Sequence, residues 1–545
     1  MRAAPFIALP ATVALLASGA ACNEILGLDA REPFPAEAGA PTGGGGDGGS
    51  ICEPEQVEDC YSGVPASTED VGICKGGTRT CNADGTSYGA CVEEVTPQPA
   101  DDCAVIGDED CDGSGCSDPL WSKIFGDSSD QGAGVVGTDG SGNVYVAGTF
   151  QGTVQFGQTT LISAGSSDIF LAKLSPEGEP LWSKRFGDAA EQVASGIAVA
   201  ADGVVALVGH FQGTLTFGGA PLVSAGGTDV FVAKLDAAGE EIWSKRYGDM
   251  SSQNGRDVAT DFAGNVVITG DYYGAIDFGD GDLPPPVGAG NRNVFLAKLS
   301  SDAGNGMWSK GFGGGFDTAT AVAVDGSDSV LAAGNYGQTI DFGTGMLTSV
   351  GSSDMYLVKF DAQGVTSWAQ SFGGSADDNP DDIAVDSSGS ILVAGSFRET
   401  VNFGGATMTS AGSLDVCVAK LTTAGNHVWS KSFGDASGQL ASSIAAGPGG
   451  SVVLRGRFSG SVDFGGGVLV AGGAPNIFLA TLDDQGDHLW SKRFGDSAQN
   501  DRGRVAIDSA GNVLLTGSTS GTIDFGNGPL STAGGLDFTL AKFAR

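Results

Sequence analysis

From about residue 119 onward, apolar and polar positions alternate with a period of two, in short runs separated by Gly, Asp and Asn turns. "GIAVA" and "VVALVGHF" flank the turn "ADG", and "DVFVAKL" and "EIWSKRYG" flank "DAAGE". Each run carries β-branched or aromatic residues at alternate positions, as a strand with one face turned to a core requires. No stretch sustains a helical period, so the pattern predicts an all-β chain.

The pattern also repeats. All seven tryptophans, Trp121, Trp182, Trp243, Trp308, Trp368, Trp429 and Trp490, stand in variants of "WSKRFGD", spaced by 61, 61, 65, 60, 61 and 61 residues. A Phe-Gly pair keeps the same rhythm at Phe156, Phe217, Phe278, Phe342, Phe403, Phe464 and Phe525. A third marker is the Asp or Asn opening "DIFLAKL" at 168, "DVFVAKL" at 229 and "NVFLAKL" at 293. Four strands per copy and seven copies predict a seven-bladed β-propeller over 119–545. The last copy lacks its Trp strand, and a spare one, "LWSKIFG", opens the region at 120. Pairing it with the C-terminal "DFTLAKF" would close the ring and leave no open edge. Trp and Phe four apart share one face of a strand, which predicts a structural role for the seven tryptophans as aromatics packed between blades.

Residues 1–21 read as an export signal, with Arg2, an apolar run from Pro5 to Ala17 and small residues leading to Cys22. "LLASGAAC" resembles the lipobox of bacterial lipoproteins, which implies diacylation of Cys22 and a lipid anchor; cleavage after Ala21 without lipidation is the alternative. Residues 22–51, with "PTGGGGDGGS", then form a flexible tether. Residues 52–118 hold eight cysteines, Cys52, Cys60, Cys74, Cys81, Cys91, Cys103, Cys111 and Cys116, in a stretch poor in large apolar residues. An exported stretch of this kind predicts a small disulfide-rich module, its pairing undetermined by sequence, with zinc binding as the alternative.

The propeller region resembles the bacterial seven-bladed propeller repeat family through "GNVYVAGTF" at 142–150 followed by "DIFLAKL". That resemblance implies an exported binding or scaffolding domain. "AKLDAAGEEIW" is similar to the Trp-docking repeat of quinoprotein dehydrogenases, although their eight blades and neighbouring-cysteine pair are missing. "DEDCDGSGC" at 108–116 resembles acidic metal-binding motifs of bacterial surface proteins, which implies a calcium site at Asp108, Asp110 and Asp112. Pro119 stands where an EF-hand needs a bidentate Glu, so a solvated acidic turn is the alternative.

With 65 acidic and 27 basic residues the formal net charge is −38, which excludes nucleic acid and anionic lipid as electrostatic partners. His427 and His488 sit at hairpin flanks of variable identity, and His210 has no evident partner. Cys417 occupies a position that holds Phe or Tyr in other copies, as a core filler would. Asp127, Asp188, Asp249, Asp435 and Asp496 recur where the fourth strand leaves each blade, as turn caps or as a cation ring. Connections from second to third strand, and from fourth strand to the next blade, emerge on one face and are the long ones, so ligand recognition is expected there. The expectation is a monomeric, non-catalytic lipoprotein of the bacterial outer membrane or cell surface, touching membrane only through its anchor and binding a protein or glycan. Periplasmic or secreted placement is the alternative for location, and a propeller enzyme (lyase, glycosidase or quinoprotein-like) for function. Binding predicts a face without coupled ionisable groups; catalysis predicts acid, base or metal ligands clustered at the central channel.

Overall fold

The computed structural model describes residues 52–64, 69, 74–98, 117–132, 134–288, 290–495 and 503–545. Residues 119–545 form the expected seven-bladed β-propeller. Blade two shows the plan: Gln192–Val199, Val205–Phe211, Asp229–Leu235 and Glu241–Tyr247 make one four-stranded antiparallel sheet in chain order. Pro119–Phe125 pairs with Asp537–Phe543, Trp121 opposite Lys542 and Phe125 opposite Phe538, and so supplies the fourth strand of the last blade.

The second and third strands are buried almost throughout, whereas the fourth is half-exposed. The apolar core therefore lies between blades, in clusters that each join two neighbours. The phrase "WSKRFGD" accounts for much of this seam. Its Phe, or Tyr247 in blade two, stacks on the Phe-Gly phenylalanine of the following blade, with ring centroids 4.6 to 5.1 Å apart at all seven interfaces. Each such pair contributes roughly 0.5–1.5 kcal/mol beyond the area it buries.

The tryptophan reaches across the same seam. Trp121 Nε1 donates to the Pro176 carbonyl at 2.9 Å, Trp243 to Ser301 at 3.0 Å and Trp429 to Asp484 at 2.9 Å, each on the outer turn of the next blade. A third-strand lysine often shares that carbonyl, as Lys542 does at Pro176 and Lys234 at Ser301. In five blades this lysine also pairs with a turn aspartate, as Lys298 does with Asp261 at 2.8 Å and Lys359 with Asp325 at 2.7 Å. These tryptophans thus bond across the seams between blades. Only Trp243, Trp308 and Trp490 are fully buried, because the fourth strand is the outermost of each blade.

One difference from the sequence reading follows from short-range chemistry. The long connection between second and third strands is not an open loop: in six blades it folds into its own hairpin, as Thr153–Phe156 with Thr159–Ile162. The buried Phe-Gly phenylalanine pins that hairpin to the seam. The glycine after the blade aromatic allows a close approach: at Gly187, φ +150°, a Cβ would meet Gln192 Oε1 at 2.3 Å and Asp168 Oδ1 at 2.5 Å.

In the cysteine-rich stretch, disulfides join Cys52 to Cys81 and Cys60 to Cys91, and Cys74 is disulfide-bonded too. This favours the disulfide reading over zinc. Two short strands, Val57–Cys60 and Gly77–Thr80, lie in the same stretch.

Candidate functional site

Seven copies in one chain act as an internal alignment: a residue shared by the blades serves the architecture, and one that departs from its copies is free for another task. The departures concentrate at the inner strands. First strands of blades two to six each carry a β-bulge, between Ala194 and Gly196, Gly255 and Asp257, Ala319 and Ala321, Pro380 and Asp382, and Ala441 and Ser443. A bulge frees one residue from the ladder and re-aims its side chain. Here the bulged residues are Ser195, Arg256, Thr320, Asp381 and Ser442, all polar, and all line a single cavity of about 380 Å³ at the ring centre. Gly134 and Val135 of blade one and Gly503 and Arg504 of blade seven complete its wall. Thr318, which opens its strand, and Arg292, which directly precedes the third strand Asn293–Leu299, extend the wall toward the end where the long connections emerge.

The one blade whose spacing departs most from the repeat adds another group. The insertion in blade three stretches the chain between Tyr272 and Asn293, where Tyr272 Oη donates to the Pro284 carbonyl at 2.7 Å. The segment ends on Arg292, whose guanidinium also lines the cavity and donates from Nη2 to Thr318 Oγ1.

Charge is organised around these arginines. Arg256 donates from Nε to Asp271 Oδ1 at 2.6 Å, and Asn254 holds Oδ2 of the same carboxylate at 3.1 Å. Arg504 pairs with Asp382 at 3.0 Å, and Ser443 Oγ donates to that carboxylate oxygen at 2.8 Å. Asp381 Oδ2 accepts from Ser396 Oγ at 2.6 Å. Burial lifts the Asp257 carboxyl to about 6, although Arg504 nearby favours its ionised form, and its Oδ2 accepts from the Val322 amide at 2.9 Å. His210 lies behind Arg256 with Nδ1 unpartnered; burial first and the Arg256 charge second hold it down at about 4, so it is neutral at neutral pH.

Several residues singled out in the sequence are explained without a ligand. Asp127 accepts from the Ser129 amide at 2.7 Å, the Thr153 amide at 2.7 Å and Gln131 Nε2 at 3.2 Å. Asp188, Asp249 and Asp435 repeat this arrangement, which identifies them as turn caps. Burial works against ionisation at Asp435, but the Ser437 and Ser461 donors outweigh it and hold the carboxyl at about 2. His427 and His488 each lie 3.1 Å from a serine hydroxyl on their own strand. Cys417 is fully buried as a core filler, and burial pushes its thiol up. Cys22, Cys103, Cys111, Cys116, Asp108, Asp110, Asp112 and Asp496 lie outside the described residues. Among the described residues no group of three or more His, Cys, Asp or Glu side chains is placed to hold a metal ion.

The channel arginines were missed because the sequence search followed shared positions and looked for histidines and acid pairs. The available signal was the reverse: Arg256, Asp381 and Arg504 break the repeat at or beside one strand position.

No family model matches the chain. It is 28% identical over 221 residues to the regulatory protein FlaEY of Caulobacter vibrioides, matching 38% of this chain and 22% of that protein. It is 26% identical over 180 residues to a WD repeat-containing protein of Acanthamoeba polyphaga mimivirus, matching 30% of this chain and 12% of that one. The chain thus spans less than a quarter of the length of either relative. Among solved structures, the WD40 domain of a Neurospora crassa protein is similar at 10% identity and a TM-score of 0.37, over 76% of this chain and 92% of that chain. The similar structures include enzymes as well as WD40 domains.

Proposed function

We propose that this protein is a non-catalytic binding module, exported and anchored through Cys22 at a bacterial surface, which takes a protein or glycan at the loop-rich end of its propeller. One observation carries the reading: five bulges in five blades turn five polar side chains into one cavity. Ligand sites are typically concave, of about 300–1,000 Å³, with a few placed polar groups. Ionisable groups do cluster at the channel, contrary to the simplest expectation for a binding face. Their arrangement nevertheless supports binding: Asp381 is the one carboxylate on the cavity wall among the described residues, and Asp257, Asp271 and Asp382 are engaged by arginine or amide donors behind it.

The test is to incubate the full chain with a panel of oligosaccharides and peptides, measuring retention and, by mass spectrometry, the state of the recovered ligand. Retention of an unchanged ligand is expected. Cleaved or eliminated product would replace this reading with that of a propeller enzyme. Calcium at Asp108, Asp110 and Asp112 belongs to the same proposal, and predicts that calcium raises the thermal midpoint and a chelator lowers it; an unmoved midpoint removes calcium from it.

A further inference from the structure

We infer that the channel cavity recognises an oxyanion carried on a saccharide, a uronate carboxylate or a sulfate ester, through Arg256, Arg292 and Arg504. The inference rests on the binding reading above and gives it a ligand class.

Among the described residues, three guanidinium groups and one carboxylate line the wall. Like charges gathered in a partly buried cavity repel one another unless an anion sits among them. The carboxylates behind the wall balance this charge in number, but each engages one edge of an arginine and leaves the other donors of the fork without it. Asp271 takes Nε of Arg256, and Asp382 takes Nη1 of Arg504. Among the described residues Arg292 forms no ion pair, although its charge acts on nearby Asp317, and its buried Nε has no hydrogen-bond acceptor. An unpaired buried donor of this kind is costly, and Arg292 lines the cavity, where its guanidinium can form a charge-assisted hydrogen bond with an oxyanion. None of the three positions holds arginine in more than one blade, so the architecture does not require them.

The remaining wall selects the rest of the ligand. Ser195, Thr320 and Ser442 present hydroxyls, and among the described residues no aromatic or long aliphatic side chain lines the cavity. A peptide anchor needs an apolar pocket; a polyhydroxylated ring needs hydrogen-bonding groups.

The experiment is calorimetric titration of the full chain with four probes: an oligogalacturonate, a sulfated oligosaccharide, a neutral oligosaccharide of equal length and an oligoglutamate peptide. Wild type, Arg256→Gln, Arg292→Gln and Arg292→Lys are compared, each with its thermal midpoint recorded to show that it folds. The expected result is binding of one or both acidic saccharides, weakened roughly ten- to a hundredfold in the Gln variants by loss of a charge-assisted hydrogen bond. Arg292→Lys should recover only part of the affinity, because Lys keeps the charge and loses the planar donor fork. The uronate and sulfate arms identify the source of the oxyanion. Equal binding of the neutral probe, unaffected by the variants, would overturn the oxyanion while leaving the binding reading intact. Binding of oligoglutamate alone would overturn the saccharide. Failure of all four would overturn the inference, and turnover of a saccharide would overturn the non-catalytic reading instead.

Discussion

At the scale of single residues, repetition separates a shared role from a local accident. Trp243 is buried and its indole donates to Ser301, whereas Trp368 Nε1 is buried with no acceptor. Both Trp→Phe changes lose the same part of the packed indole, so Trp243→Phe should cost about 1 kcal/mol more than Trp368→Phe, the net worth of one hydrogen bond. Trp243→Ala should cost about 3–5 kcal/mol. Urea unfolding checks all three, and equal costs for the two Phe variants would contradict the assignment. Blades four and five depart from the Asp-Gln turn cap by placing Gly314 with Asp317 and Gly374 with Asp378. Burial, reinforced by Asp354, lifts Asp378 to about 7 against the Gly374 amide, which favours the anion. An unfolded Asp titrates near 3.9, roughly, so the native state binds more protons between these values and stability falls as pH rises from about 4 to 7. Asp378→Asn removes that loss, and its stability relative to wild type should rise between pH 4.5 and 8. A difference that stays constant with pH would rule this out.

At the scale of strands and turns, the lysine-aspartate latch offers a gain rather than a loss. Blade two keeps Lys234 but has Ala200 where five other blades have the turn aspartate, as the matching turn bonds from Ala200 to Val204 and from Asp139 to Asn143 show. Burial lowers the Lys234 amine, which donates instead to Gly264 and Ser301. Ala200→Asp should rebuild the pair seen at Lys298 and Asp261, adding roughly 1 kcal/mol and raising the thermal midpoint. A lowered midpoint would mean that the turn cannot seat the carboxylate. The blades themselves were legible because "DIFLAKL" and "VVALVGHF" alternate cleanly, and the closing strand because Trp121 recurs without a preceding partner. The small hairpins were not: Thr214–Leu215 and Leu222–Val223 span two residues each, too few to show a period, and their stability comes from a phenylalanine docked on the neighbouring blade.

At the scale of the whole molecule, the ring brings together residues that sequence order separates. Arg256, Asp381 and Arg504 belong to blades three, five and seven, and each stands alone among residues that fit the repeat, so only closure of the ring makes them neighbours. Closure also sets a cationic wall inside a chain of net charge −38, and the two act on an acidic ligand over different distances. Far from the mouth the many carboxylates repel it; within the cavity the guanidiniums hold it at hydrogen-bond range. At 0.01 M salt the screening length is about 30 Å and the repulsion reaches the approaching ligand, while at 0.15 M it is about 8 Å and the repulsion is largely removed. Contacts made inside a partly buried cavity are screened far less. The affinity for an acidic oligosaccharide should therefore hold or rise between these salt concentrations, through a faster association rate, with dissociation nearly unchanged. A neutral oligosaccharide should show no trend. A steep fall with salt, the signature of a diffuse basic surface, would mean that the ligand is held elsewhere than by these three arginines.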